Sequence, residues 1–181
     1  EGAGVIVLES EESVMKRGSK VLAEIKGYGA SADAHHLTAP HPEGVGAAKA
    51  VKRALKLNDF PIEKIDYINT HGTSTPLGDI AEIKALKLVF GEEGLKKPVI
   101  NATKSMIGHL LGAAGGVGTI ATVLQIQNGF IHPNRNLDNV DPELAGYNFA
   151  PNHFIEQNID AALVDAFGFG GQNACLLITK A

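Results

Sequence analysis

The chain has 181 residues, 44% apolar and 20% charged, a globular composition long enough to bury a core without disulfide staples. A formal net charge of -4 with 16 Lys plus Arg excludes a polybasic nucleic-acid or acidic-membrane binder, and one cysteine, Cys175, excludes a disulfide framework or a multi-cysteine metal site. Trp is absent and Gly numbers 21, so an aliphatic core and tight backbone turns are expected.

The chain opens Glu1-Gly2-Ala3-Gly4 and runs at once into Val5–Leu8, which reads as a buried strand. With no leading Met or charged lead-in, it is expected to be a segment of a longer polypeptide, and its lack of a targeting signal says nothing of compartment. Val21–Ala34 predicts a longer strand with a glycine break. Residues 43–57 predict a helix burying Ala47, Val51, Ala54 and Leu55, with Lys49, Lys52, Arg53 and Lys56 as a solvated basic stripe. Ile65–Asn69 predicts a short strand. Residues 78–90 predict a helix that gathers Ile83, Leu86 and Phe90. Pro98–Asn101 predicts another strand.

Residues 106–128 predict one long, fully buried helix. Its polar members, His109, Thr119, Thr122 and Gln125, argue against a membrane span, and Gly112 and Gly116 allow close approach by neighbours. The glycine pattern at 116–121 lies inside this helix rather than after a strand, which discounts a dinucleotide loop. Residues 130–153 are Asn/Pro-rich and irregular. Ala161–Phe169 and Ala174–Thr179 read as a hairpin closed by Gly170-Gly171. This alternation predicts an α/β fold with a mixed sheet.

Three stretches could carry chemistry. Asn69–Asp79 (NTHGTSTPLGD) follows a strand directly, where ligands gather in open α/β sheets. It offers His71 and four hydroxyls; the alternative is a polar turn capping the next helix. Asn101–His109 (NATKSMIGH) also follows a strand. A helix start and the Lys104 ammonium would both hold His109 neutral, able to donate an N–H to an oxygen; the alternative is a core histidine satisfied by backbone. Ala166–Asn173 (AFGFGGQN) carries Phe167 and Phe169 among glycines that let a ring swing, or it is a plain hairpin turn. Two strand-end histidines together suit negative charge building on a carbonyl or thioester oxygen. His35, His36 and His41 share a loop without a supporting carboxylate pattern, so no metal is expected, and Cys175 reads as an inert core thiol.

These three stretches, with DAHHLTAPHPEG and the leading EGAGVIVLE, resemble the C-terminal half of a 3-oxoacyl-[acyl-carrier-protein] synthase, closest to the synthase II branch of the condensing enzymes. The resemblance covers nearly the whole chain. It implies a thiolase-like α/β fold of two similar halves, with residues 1–20 ending the first half and 21–181 forming the C-terminal domain. It implies an acyltransferase of type II fatty acid synthesis that performs a decarboxylative Claisen condensation of malonyl carrier protein with a cysteine-bound acyl chain. His71 and His109 match the histidines that hold the malonyl thioester oxygen, and Lys104 the lysine beside them. Thr73 and Thr75 match positions that bind the phosphopantetheine arm. Phe169 matches the phenylalanine that gates the acyl pocket and lends a backbone N–H, with Phe167 in the same pocket.

The implied partners are acyl carrier protein, the half bearing the nucleophilic cysteine, and a second copy in a homodimer. No cofactor beyond the carrier's phosphopantetheine is implied. The implied compartment is the cytoplasm, or a plastid or mitochondrion in a eukaryote. The piece alone is expected to be inactive. Two departures stand out: Gly118 replaces the usual Glu that partners the lysine, and Asp165-Ala166 replaces the usual Asn-Ser. A non-catalytic chain-length factor and a coenzyme A thiolase are the competing readings.

Overall fold

A computed structural model describes residues 1–181. Five strands form one mixed sheet: β1 (Glu24–Ala32), β2 (Tyr67–Asn69), β3 (Val99–Asn101), β6 (Ala161–Gly168) and β7 (Gln172–Thr179), in the order β1-β7-β6-β2-β3. β6 and β7 form the expected antiparallel hairpin, and β1 adds antiparallel to β7. β2 runs parallel to both β6 and β3, so the second half of the sheet is parallel, as strand–helix–strand crossovers dictate. A two-strand ribbon of β4 (Phe130–Ile131) and β5 (Ile155–Glu156) lies apart from it.

Helices cover both faces. On one, α2 (Val45–Lys56) and α3 (Pro76–Gly94) enclose Val51, Ala54, Ile68, Leu86, Leu163 and Leu177. On the other, α5 (Ala114–Asn128) packs over Tyr67, Val164 and Ile178. These faces follow from the period-two alternation along β6 and β7: Leu163 and Val164 go to opposite clusters. The basic stripe of α2 is exposed, as its spacing predicted. The glycine break in β1 has a packing reason. A Cβ on Gly27 would meet the Ala54 carbonyl oxygen at 1.9 Å, and one on Gly29 the Ala50 oxygen at 1.9 Å, so α2 rests directly on the strand backbone.

Two expectations need correction. Val5–Leu8 is not a buried strand: residues 1–10 have no regular structure, and Val5 and Val7 are 83% and 86% exposed. No neighbouring edge pairs with the segment, and a lone strand has nothing to satisfy its backbone. It lies instead across α5, where a Cβ on Gly4 would touch Val117 and Ile120. The short α1 (Glu11–Arg17) follows, capped by Ser10 and ended by left-handed Gly18.

The second correction concerns residues 106–128, which are not one helix. A single turn, α4 (Lys104–Ile107), ends at Gly108, a 3-10 turn spans Leu111–Ala113, and α5 begins only at Ala114. Gly108 has φ 78°, outside the range a helix or most side chains accept. Nor is the stretch fully buried, since Met106, Ile107 and Leu124 are about half exposed and Leu111 is largely so. No helix is long and apolar enough to cross a membrane.

Candidate active site

β2 and β3 end side by side, so the loops that leave them emerge together. The first carries His71, Gly72, Thr73, Ser74 and Thr75 into α3; the second carries Thr103 and Lys104 into α4 and the break that holds His109. A buried polar network locks the two strand ends. The Asn69 side-chain amide donates to Thr103 Oγ1 at 2.8 Å, to the Gly118 carbonyl at 3.1 Å and to Thr122 Oγ1 at 3.1 Å. Tyr67 O–H donates to Asn101 Oδ1, and the Asn101 amide donates to the His132 carbonyl at 2.7 Å. Gln125 closes the circuit by donating to Tyr67 and accepting the His132 N–H. Satisfied buried polar groups of this kind fix one geometry.

His71 and His109 meet edge to face, ring centroids 5.5 Å apart and interplanar angle 84°. The His109 ring is oriented from behind. The Leu111 N–H donates to His109 Nδ1 at 3.0 Å, which leaves the Nε2–H tautomer as the outward donor. Leu111 adopts φ 51° to do so, a strained angle for an L residue at the helix break. His71 is half-buried, its Nδ1 enclosed without a partner, and Phe167 stands 6.0 Å from its ring.

The electrostatics keep both rings neutral. Burial above all, then the Lys104 ammonium and His109, bring the His71 pKa down to about 3. Burial and Lys104 also lower His109. Lys104 is itself lowered by burial, an effect that Glu82 opposes, and no carboxylate lies within ion-pair distance of it. Gly118 faces Asn69 and Val164, with ordinary contact distance to spare.

A cleft of about 570 Å³ opens beside His109, lined by it together with Thr73, Thr75, Lys104 and residues of the 134–141 loop; His71 stands behind this wall. Thr73 and Thr75 point their hydroxyls at one another, 3.1 Å apart. Phe167 joins the histidines; Phe169 does not, its ring lying 75% exposed on the hairpin turn. That turn is tied to residues 33–41 by the Gly170 N–H to the Leu37 carbonyl at 2.7 Å and the Asp33 N–H to the Gly171 carbonyl at 2.8 Å.

Glu82 was missed by sequence reasoning. It sits on α3, 4% exposed, and its two oxygens accept the backbone N–H groups of His71 at 2.7 Å and Gly72 at 2.8 Å. The available signal was its spacing: four residues before Leu86, it falls on the apolar face of the helix.

Residues 22–138 match the family described as beta-ketoacyl synthase, C-terminal domain. The chain belongs to that family. The synthase 2 of Vibrio harveyi, a 3-oxoacyl-[acyl-carrier-protein] synthase, is 44% identical over 181 residues, 99% of this chain and 43% of that protein. The chloroplastic synthase I of Arabidopsis thaliana is 48% identical over 176 residues, 96% of this chain and 36% of that one. A solved type II polyketide acyl carrier protein in complex with its ketosynthase bound to the hexaketide superposes with a TM-score of 0.91 at 33% identity, covering 96% of this chain and 42% of the other. The ishigamide ketosynthase/chain length factor does so with 0.89 at 38%, over 96% and 41%.

The fold is therefore the thiolase-like one of the ketosynthases, and the family is that of fatty-acid and polyketide condensing enzymes. The chain spans less than half the length of the curated relatives it matches.

Proposed function

We propose that this domain supplies the decarboxylation site of a 3-oxoacyl-[acyl-carrier-protein] synthase of type II fatty acid synthesis. The observation that carries the reading is the convergence of the His71 and His109 rings, centroids 5.5 Å apart, with His109 on the wall of a cleft. A neutral imidazole offers one N–H without giving up its proton, which suits an oxygen that gains negative charge only in the transition state.

His71 and His109 hold the malonyl thioester oxygen. The bond between the malonyl carboxylate carbon and Cα breaks, carbon dioxide leaves, and the electron pair passes to that oxygen as an enolate. The enolate carbon attacks the acyl thioester on a cysteine, and that cysteine departs as thiolate. Lys104 adds positive potential beside the rings. Thr73 and Thr75, on the cleft wall, take the polar atoms of the phosphopantetheine arm brought by acyl carrier protein. Phe167 walls the histidine side, while Phe169, on its exposed turn, gates the acyl chain and lends its backbone N–H to the acyl oxygen. Residues 1–20 belong with a further half of the fold that carries the nucleophilic cysteine, and the complete enzyme is a cytoplasmic or plastid homodimer. Cys175 does not take the nucleophile's place: it is 1% exposed and burial pushes its thiol well up. The same burial argues against a thiolase, which needs a reactive second cysteine.

Joining this chain to a half that bears the cysteine tests the reading. Carbon dioxide release from malonyl carrier protein is expected only from the joined enzyme. His71→Ala and His109→Ala are each expected to slow it about 10²–10³-fold. Gly118, which leaves Lys104 without a carboxylate, favours a second reading, a chain-length factor that shapes a pocket without catalysis. Release unaffected by either variant, or absent altogether, selects that reading.

A further inference from the structure

Behind the histidines lies a pair of carboxyl groups that the proposed chemistry does not use. Asp165 on β6 is 3% exposed, and neither of its side-chain oxygens has a hydrogen-bond partner. It shares a face of β6 with Phe167, two residues on, whose ring stands against His71. Its cross-strand partner on β7 is Cys175. From α3 comes Glu82, equally buried, close enough that the Asp165 carboxyl adds to the effect of burial in pushing its pKa up. The two acids differ in one respect. Glu82 accepts two backbone N–H groups, which a negative charge strengthens, whereas Asp165 accepts none. The other ionisable groups around the pair are Asp79 on α3, Lys104 at the start of α4, His71 in the loop and Cys175 on β7. Lys104 is the one cation among them, so two carboxylates in this dry site leave a charge uncompensated.

We propose that Asp165 is held as a neutral carboxylic acid, so that Glu82 alone carries the negative charge and grips the His71–Gly72 turn. Asp165 is thus a positioning residue that acts through Glu82. Its meaning for catalysis rests on the reading of His71 given above, but its protonation does not, and the test involves no turnover.

The linkage has a definite sign. Between the ordinary carboxylate range and the raised value, the folded chain keeps a proton that the unfolded chain has lost, so stability falls as pH rises. Infrared spectra of the 181-residue chain, labelled with carboxyl-¹³C aspartate or glutamate, read the proton directly. At pH 6 a protonated-acid carbonyl band is expected to shift with the aspartate label. It is expected to persist in Asp79→Asn, to vanish in Asp165→Asn, and to fade as pH is raised. The melting temperature is expected to fall between pH 4 and about 7 in the native chain and to lose most of that slope in Asp165→Asn. A band that follows the glutamate label, a band lost in Asp79→Asn, or no band at all overturns the proposal, as does an equal slope in both chains. Should Asp165→Asn not fold, the isotope labels on the native chain decide the matter alone.

Discussion

Glu82 accepts the backbone N–H of His71 at 2.7 Å, so a buried side chain of α3 dictates where a residue of the loop leading into that helix stands. The same carboxylate takes the Gly72 N–H, and the two bonds fix the turn that aims the imidazole. Position and charge at His71 are therefore set by different groups: Glu82 places the backbone, while burial and Lys104 keep the ring neutral.

Replacing Glu82 by Gln keeps the shape but turns one acceptor into a donor facing a backbone N–H. Hydrogen bonds to charged groups contribute about 1.5–3 kcal/mol, so a loss of that order is expected in urea unfolding at pH 7. A loss below about 0.5 kcal/mol would show that the carboxylate does not hold the turn.

His71 is expected to stay neutral through the physiological range, with protonation only near pH 3. Because its folded pKa lies below the unfolded value, the unfolded chain binds the extra proton, and stability contributed by this group falls as pH drops from about 6.5 towards 3. Nitrogen-15 spectra of the imidazoles read this directly. A His71 ring that titrates between pH 6 and 7 contradicts the electrostatic account.

Two glycines are expected to respond oppositely to alanine. At Gly118 a Cβ meets Asn69 and Val164 no closer than 3.6 Å, inside a helix, so Gly118→Ala is expected to stabilise by about 0.5–1 kcal/mol. At Gly29 the Cβ would meet backbone at 1.9 Å, and Gly29→Ala is expected to destabilise by about 3 kcal/mol or more. Chemical denaturation of both variants ranks them.

Cys175 is expected to resist thiol reagents in the folded chain and to react at the rate of unfolding. Burial above all pushes its thiol well above the usual range. Reaction with a disulfide reagent at pH 8, followed with and without denaturant, measures the contrast. Rapid labelling of the folded chain would return Cys175 to consideration as a nucleophile.

β2 and β3 were legible because each is a short apolar run that ends in Asn, and the hairpin because its two runs flank Gly170-Gly171. The NTHGTSTP and KSMIGH stretches showed themselves as polar loops after strands, and the structure brings their histidines together. The break at Gly108 was hidden by apolar residues that continue on both sides, so the 106–128 pattern read as a single helix. Val5–Leu8 misled for the opposite reason: its pattern is that of a strand, but pairing depends on an edge that a local reading does not contain. Glu82 and the Asn69 network escaped because buried polar residues gain their meaning only from partners distant in sequence.

The bare backbone of Gly27 and Gly29 under α2 has a wider implication. Strand and helix there behave as one mechanical part with no compressible layer between them. A bulkier residue at either position would jack the helix upward and tilt α3, which packs beside it and carries Glu82. Divergence in this corner of the domain is thus bounded by steric allowance at a site remote from the chemistry, and drift there would be felt first as a misaimed imidazole.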